Sequence, residues 1–297
     1  MKWDILRRSS NVEDRRGSGG PLVIGGGIGA TILALIIYFL GGDPSVITGG
    51  RTEPPQSAVD AGDPARKRAD DPLADFSSRV LGSTEDVWSA IFREQGSSYA
   101  PPNLVLFTQA VRSACGTAGA AVGPFYCPGD RKLYVDLSFY SLLKDRLGAP
   151  GDFAQAYVIA HEVGHHVQNL TGSLGRADQM KAQARSQAEA NKIQVRVELQ
   201  ADCYAGVWAQ RVGRQGNILE QGDEEEAINA ASRIGDDVLQ SEAQGRVVPD
   251  AFTHGSAAQR REWLQRGMRE GTMGVCDTFA GDKRSAERAP NGAGGGF

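Results

Sequence analysis

Excess positive charge is absent from this 297-residue chain, and histidine and cysteine are scarce in it. The 32 Lys and Arg residues are outnumbered by 36 Asp and Glu residues, which gives a net charge of −4. A nucleic-acid-binding domain normally clusters its basic residues on one surface, whereas here basic and acidic residues are interleaved. We therefore expect no nucleic-acid partner. With only four histidines, a histidine-based metal site has few candidate ligands.

The four cysteines, Cys115, Cys127, Cys203 and Cys276, include no C-x-x-C pair. The absence of that spacing argues against a structural zinc site made of four cysteines. An even number of cysteines is typical of disulfides formed in an oxidising compartment. Three pairings are possible. We favour the local pair Cys115 with Cys127, which leaves Cys203 with Cys276.

The first 72 residues predict three segments that precede the folded domain. Residues 1–20 are polar and basic, and residues 21–42 carry no charge. An apolar stretch of about 20 residues is long enough to span a bilayer as a helix. No small-residue cleavage site follows it, so we predict a retained single transmembrane helix and not a removed signal peptide. Residues 43–72 are rich in Pro, Gly, Asp and Ser, which predicts a disordered linker.

The distribution of charge around residues 21–42 predicts an orientation in the membrane. Basic residues such as Arg7 and Arg16 precede the apolar stretch. By the positive-inside rule, residues 1–20 would be cytoplasmic and everything after the span would lie outside.

Residues 73–280 predict one mainly helical α+β domain with a small sheet, followed by a disordered tail at 281–297. Apolar residues recur at helical spacing in several segments, whereas Leu104–Phe107 and Lys132–Asp136 are short apolar or alternating runs that predict strands. A strand near Tyr134 is a candidate for binding extended substrate backbone, and a plain structural hairpin is the alternative.

The strongest chemical signal is an H-E-x-x-H motif inside a predicted helix that ends near Leu170. His161 and His165 are four residues apart, so they project from one helical face and can bind one zinc ion together. Glu162 is rotated away from that pair. It is therefore placed to act as a general base on a water molecule and not as a ligand.

A catalytic zinc needs a third protein ligand. The metzincin pattern would require histidine six residues after His165, where Thr171 stands instead. A carboxylate from a second helix is the other solution, and Glu198 is the best candidate. Asp202 lies four residues further on the same face, where it could orient a ligand histidine by a hydrogen bond. The alternative is a surface Glu and Asp pair on an amphipathic helix.

Several stretches of the sequence resemble the "putative neutral zinc metallopeptidase" family of bacterial membrane-anchored proteins. They are Ala160–His166, Glu198–Ala209, Asn11–Gly17, Gly123–Pro128 and Thr253–Ser256. The resemblance covers nearly the whole chain and shows no departure at the metal positions. It implies a zincin-like, gluzincin-like domain with Zn²⁺ as cofactor, at the bacterial cytoplasmic (inner) membrane.

Peptide hydrolysis also requires stabilisation of an oxyanion. His254 is the only histidine outside the segment that carries the metal motif, and it lies in a Gly-flanked turn before a helix. We choose His254 for this role, with a structural role as the alternative.

These residues together predict a membrane-anchored zinc endopeptidase acting on protein or peptide substrates outside the cytoplasmic membrane. Zinc held by His161, His165 and Glu198 would act with Glu162 in hydrolysis of a peptide bond. Two alternatives remain. One is a non-catalytic membrane-tethered scaffold in which zinc only joins two helices, and the other is a hydrolase of cell-wall amide bonds.

Overall fold

The computed structural model describes three parts of the chain, residues 1–17, 71–119 and 122–280. The predicted membrane span, most of the predicted linker and the predicted tail lie outside the described residues. Among the helices of the described parts, none has the length and apolar character needed to cross a bilayer.

The described chain is mainly helical, with a small sheet, which confirms the predicted α+β class. Its helices are α1 (Pro72–Glu94), α2 (Ser138–Asp145), α3 (Asp152–Leu170), α4 (Ser173–Ala182), α5 (Gln187–Arg214), α6 (Asp223–Arg233), α7 (Asp236–Gln244) and α8 (Ala257–Glu270). Single 3-10 turns are formed by Trp3–Ile5, Pro249–Ala251 and Met273–Cys276. The helix α8 begins with the capping box of Ser256 and Gln259.

Six strands form two sheets in the described chain. They are β1 (Val12–Asp14), β2 (Asn103–Phe107), β3 (Ala110–Ser113), β4 (Gly116–Gly119), β5 (Phe125–Cys127) and β6 (Lys132–Asp136). The larger sheet has the order β1-β2-β6-β5, and β3 pairs with β4 in a separate hairpin. The strands β1, β2 and β6 are parallel, whereas β5 runs antiparallel to β6. The predicted strands at 104–107 and 132–136 are therefore confirmed.

The helix α3, which carries the H-E-x-x-H motif, crosses α5 at a glycine, and α5 crosses α8 at another. A Cβ atom on Gly164 of α3 would lie 2.9 Å from the backbone oxygen of Ala201 in α5. A Cβ atom on Gly206 of α5 would lie 2.1 Å from the backbone oxygen of Leu264 in α8. Real Cβ atoms do not approach backbone so closely, so glycine is what allows α3, α5 and α8 to pack backbone against backbone.

Both predicted disulfides are present. Cys115 bonds to Cys127 and ties the β3–β4 hairpin to the end of β5. Cys203 bonds to Cys276 and ties α5 to the last 3-10 turn of the described chain. The predicted pairing is confirmed.

Residues 1–17 belong to the folded domain, in contrast to the predicted separate cytoplasmic segment. The strand β1 pairs in parallel with β2, with Val12 opposite Leu104. The side chains of Met1 and Leu6 lie in the main hydrophobic core. Residues 1–17 therefore pack with the folded unit, which continues at α1, one residue before the predicted start at residue 73.

This packing concerns the prediction that residues 1–20 and the domain lie on opposite sides of the membrane. One crossing of a bilayer by residues 21–42 would separate β1 from β2, so that orientation and this sheet cannot hold in the same state. The arginines that suggested a cytoplasmic location are paired with carboxylates of the folded unit. The pairs are Arg7 with Glu85 and Asp86, Arg8 with Asp75, and Arg16 with Asp14 and Asp71. Ion pairing within the fold is therefore enough to account for their charge.

Candidate metal centre

Three potential metal ligands from α3 and α5 meet at the crossing of these helices. The Oε2 atom of Glu198 lies 3.2 Å from Nε2 of His161 and 3.4 Å from Nε2 of His165. The three donor atoms lie within 4.8 Å of one another. His161 and Glu198 are buried, and His165 is largely so. The structure thus brings together the three residues that the sequence predicts as ligands.

The spacing of these donors fits zinc. Two donors on a tetrahedral zinc lie about 3.3 Å apart when each bond is about 2.0–2.1 Å long. The two distances from Glu198 agree with that value. Two imidazoles and one carboxylate are also a common ligand set of a catalytic zinc, which leaves one coordination position open.

A neighbouring side chain orients each histidine of this set. The Nδ1 atom of His161 lies 2.8 Å from Oδ1 of Asp202, and Nδ1 of His165 lies 2.8 Å from Oε1 of Gln168. Because both partners present oxygen acceptors, each histidine donates through Nδ1–H and presents Nε2 toward Glu198, where a metal would bind. The predicted contact of Asp202 with a ligand histidine is observed. Gln168 was missed by sequence reasoning.

The carboxylate of Glu198 is held from the opposite side. The Nε2 amide of Gln194, one helical turn earlier in α5, donates to Oε1 of Glu198 at 2.8 Å. This leaves Oε2 of Glu198 facing the two histidines. The Nζ atom of Lys181 in turn donates to Oε1 of Gln194 at 2.8 Å, which fixes the amide orientation.

Asp202 is buried and completely enclosed by polar partners. The guanidinium of Arg260, on α8, donates to both Asp202 carboxylate oxygens at 2.9 Å. The Tyr157 hydroxyl donates to Oδ1 of Asp202 at 2.5 Å and accepts from Arg260 at 3.1 Å. Sequence reasoning does not connect Tyr157 with Asp202, and Arg260 carries no local signal because its partner lies 58 positions earlier.

These contacts determine the charge of the centre. Burial by itself would raise the pKa of Asp202, but the neighbouring Arg260 charge brings it down to about 2. Burial would likewise raise the pKa of Glu198, and the positive charge of the adjacent His165 holds it well below its usual range. Both carboxylates are therefore ionised at neutral pH.

Glu162 lies in the wall of the cleft beside the three donors. Its side chain is buried, and that burial raises its pKa above the usual glutamate value. A carboxylate with a raised pKa is a stronger base than an exposed one, so Glu162 has the environment of a general base.

His254 lines the same cleft and is oriented by Asp236 at the start of α7. The Oδ2 atom of Asp236 accepts hydrogen bonds from the backbone N–H groups of Thr253, His254 and Gly255. Its Oδ1 atom lies 3.3 Å from Nδ1 of His254. Burial lowers the pKa of His254, but this hydrogen bond and the negative charge of Glu198 outweigh burial and raise it. Asp236 was missed by sequence reasoning.

A cleft of about 850 Å³ surrounds the centre. It receives apolar side chains from α2, α3 and α7, from the connection between α6 and α7, and from the strand β5. They include Phe125, Leu142, Val158, Ile234 and Leu239.

The strand beside this cleft is not the one that the sequence suggests. Tyr134 lies in β6, which is an interior strand between β2 and β5. The edge strand is β5, whose residues Phe125 and Tyr126 line the cleft. The three-residue run of β5 is too short to show alternation.

A second acidic group, formed by Asp152, Asp223 and Glu226, has the spacing of a metal site. Here the amino group of Met1 lies 2.7 Å from Asp152 and 3.1 Å from Asp223. A cationic partner thus already compensates this group.

The chain is similar to several known proteins. The family model described as "Putative neutral zinc metallopeptidase" matches residues 1–279. An Escherichia coli K12 relative, "Uncharacterized protein YpfJ", is 47% identical over 286 residues, covering 94% of this chain and 99% of the relative. "Uncharacterized protein Rv2575" of Mycobacterium tuberculosis is 42% identical over 212 residues, covering 68% of this chain and 70% of the relative. No solved structure matches. The chain belongs to the neutral zinc metallopeptidase family.

Proposed function

We propose that this chain is a zinc endopeptidase that cleaves extended peptide segments carrying apolar side chains. The observation that carries this proposal is the joint placement of three zinc-spaced donors and the buried Glu162 in the wall of one cleft. The family assignment supports the metal and the class of reaction.

In this proposal His161, His165 and Glu198 hold zinc. When bound, zinc supplies a Lewis acid that polarises a carbonyl oxygen and makes water more acidic. The protein's own contribution is to keep both histidines in the Nδ1–H form through Asp202 and Gln168.

Glu162 acts as the general base. Its carboxylate accepts a proton from the water that attacks the scissile carbonyl carbon. It then returns that proton to the leaving amine nitrogen as the C–N bond breaks. A buried carboxylate with a raised pKa suits both steps, because it binds a proton more readily than an exposed glutamate does.

His254 donates a hydrogen bond to the oxyanion that develops during attack. Its protonated form has a donor on each ring nitrogen, so one donor engages Asp236 and the other faces the cleft. The role of Asp236 is to fix the ring and to favour that protonated form.

The substrate lies along the edge strand β5. Peptides commonly add to an exposed sheet edge through backbone hydrogen bonds, while side-chain pockets provide selectivity. The cleft beside β5 is lined mainly by apolar side chains and extends from α2 to α4. This lining favours a peptide over a sugar-bearing cell-wall segment.

Location is a further part of the proposal. The two disulfides favour an oxidising compartment outside the cytoplasm. The sheet joins β1 to β2, so we propose that residues 1–17 and 71–280 share that compartment. Attachment to the membrane through residues 21–42 remains a proposal from the sequence.

The first prediction concerns metal binding. Glu198→Ala removes a ligand, and we expect it to weaken zinc affinity by more than Asp202→Asn, for which a loss of about 10–100-fold is expected. Competition with a chromophoric chelator measures both affinities. Glu226→Gln is the control, because it alters the second acidic group. A larger loss in Glu226→Gln than in Glu198→Ala would contradict the assigned ligands.

The second prediction separates catalysis from metal binding. Glu162→Gln keeps the size of the side chain and removes the base, so we expect zinc at wild-type stoichiometry and at least a 100-fold loss of kcat. Cleavage of a denatured-protein mixture, followed by mass spectrometry, provides the assay. A wild-type protein that binds zinc but cleaves nothing would favour the scaffold alternative. Cleavage of cell-wall fragments alone would favour the amide hydrolase.

The third prediction concerns pH. Asp236 raises the pKa of His254, and a protonated donor loses its proton as pH rises through that pKa. In Asp236→Asn the pKa of His254 falls, so the alkaline decline of kcat/KM should begin at a lower pH than in the wild type. An unchanged alkaline decline, with zinc retained, would argue against protonated His254 as the donor.

The fourth prediction concerns compartments. Ser10→Cys and Glu224→Cys each place one free thiol at an exposed position, while the native cysteines are in disulfides. A membrane-impermeant maleimide should label both variants in intact cells or spheroplasts. Labelling of Glu224→Cys alone would support the single crossing and contradict the shared compartment. Labelling of neither variant before lysis would contradict the outside location.

A further inference from the structure

His166 is adjacent to a metal ligand but faces away from the metal centre. Its Nε2 atom lies 2.7 Å from the backbone oxygen of Ala100, and its Nδ1 atom lies 3.0 Å from the hydroxyl of Tyr126. A carbonyl oxygen can only accept, so Nε2 carries the proton and Nδ1 accepts from the Tyr126 O–H group. The ring is completely buried. His166 therefore links the metal helix to β5.

Asn169 completes the same link. Its Nδ2 amide donates to the Tyr126 hydroxyl oxygen at 2.8 Å. His166 and Asn169 are three residues apart on α3, so they present neighbouring groups on one helical face. The Tyr126 hydroxyl thus donates one hydrogen bond to α3 and accepts another from it.

Tyr126 is the one residue of β5 whose side chain is directed toward α3. Successive side chains of a strand alternate between its two faces. Phe125 and Cys127 pack on the opposite face, in the small cluster with Val111. Cys127 is also tied there to Cys115. Polar contacts between the described side chains of β5 and α3 therefore converge on the hydroxyl of Tyr126.

The distance between β5 and α3 matters for the reaction. Both elements line the cleft, β5 through Phe125 and Tyr126 and α3 through His161 and Glu162. A peptide held along β5 presents its scissile carbonyl to α3 only if the strand lies at the correct distance from that helix. Misplacement by about 1 Å is enough to cost 100-fold in rate.

We propose that Tyr126, held by His166 and Asn169, is a positioning residue that keeps β5 at the distance from α3 that substrate binding requires. This inference rests on the proposed peptidase function. Tyr126 acts through the position of the strand backbone, whereas zinc is held independently by α3 and α5.

The test compares two tyrosine variants. Tyr126→Phe removes the hydroxyl that faces α3, and Tyr134→Phe removes the hydroxyl of the neighbouring interior strand, which donates to Asp130 at 2.7 Å. Loss of buried hydrogen-bond partners for His166 and Asn169 should raise KM about 10-fold in Tyr126→Phe. Its kcat should fall by a smaller factor, and zinc affinity should stay within about 2-fold of the wild type. Tyr134→Phe should leave KM unchanged.

Hydrogen exchange gives a readout independent of catalysis. In Tyr126→Phe, amide exchange over residues 124–128 should become faster, while exchange over residues 158–166 should not change. Asn169→Ala is the second variant, which removes only one of the two bonds to Tyr126. It should raise KM by less than Tyr126→Phe, and it keeps the test valid if Tyr126→Phe folds poorly.

The outcomes separate this inference from the function on which it rests. The affinity of the Glu162→Gln variant for an intact peptide that the wild type cleaves can be measured by fluorescence anisotropy. This affinity should weaken about 10-fold in the double variant that also carries Tyr126→Phe. Equal KM values for Tyr126→Phe, Tyr134→Phe and the wild type would overturn the positioning role, as would loss of zinc in Tyr126→Phe. If the wild type neither cleaves nor binds any peptide, the proposed function itself fails.

Discussion

The centre depends on the close contact of α3 with α5 at Gly164. This residue lies between the candidate ligands His161 and His165, and the residue that it meets, Ala201, lies between Glu198 and Asp202. A Cβ atom at position 164 would lie 3.1 Å from the Ala201 Cα atom as well as close to its oxygen. A larger residue would push the two helices apart. The distances of 3.2 and 3.4 Å from Glu198 to the two histidines require that contact.

Bringing these helices together buries several charges at once, and the structure compensates them with specific partners. Asp202 is paired with the buried guanidinium of Arg260, in a bidentate contact. A buried ion pair of this kind contributes little net stability, but removal of one partner leaves an uncompensated charge and is costly. Arg260 therefore makes α8 part of the support of the centre. A divalent cation would compensate Glu198 and Glu162 in the same way.

The sequence predicts best those parts of the centre that depend on spacing within one helix. His161 and His165, and likewise Glu198 and Asp202, are four residues apart, so helical geometry alone places each pair on one face. Arg260, Asp236 and Tyr126 escape prediction because their contacts join elements far apart in the chain. The sequence makes the strand near Tyr134 a candidate for substrate binding, whereas strand order in the sheet places that strand inside and β5 at an edge.

At the N-terminus, composition alone does not identify the partners of the basic residues. Arg7, Arg8 and Arg16 look like the basic flank of a membrane span when only composition is considered. In the structure each is paired with a carboxylate of the folded unit. Net charge along a segment does not reveal whether a distant element supplies its counterions. The apolar stretch at 21–42 remains the basis for proposing membrane attachment.

The most direct test of the account is the location of zinc by anomalous diffraction from crystals of the zinc-loaded protein. We expect a peak at about 2.0–2.2 Å from Nε2 of His161, Nε2 of His165 and an oxygen of Glu198. A peak at the group of Asp152, Asp223 and Glu226, with none between α3 and α5, would contradict it.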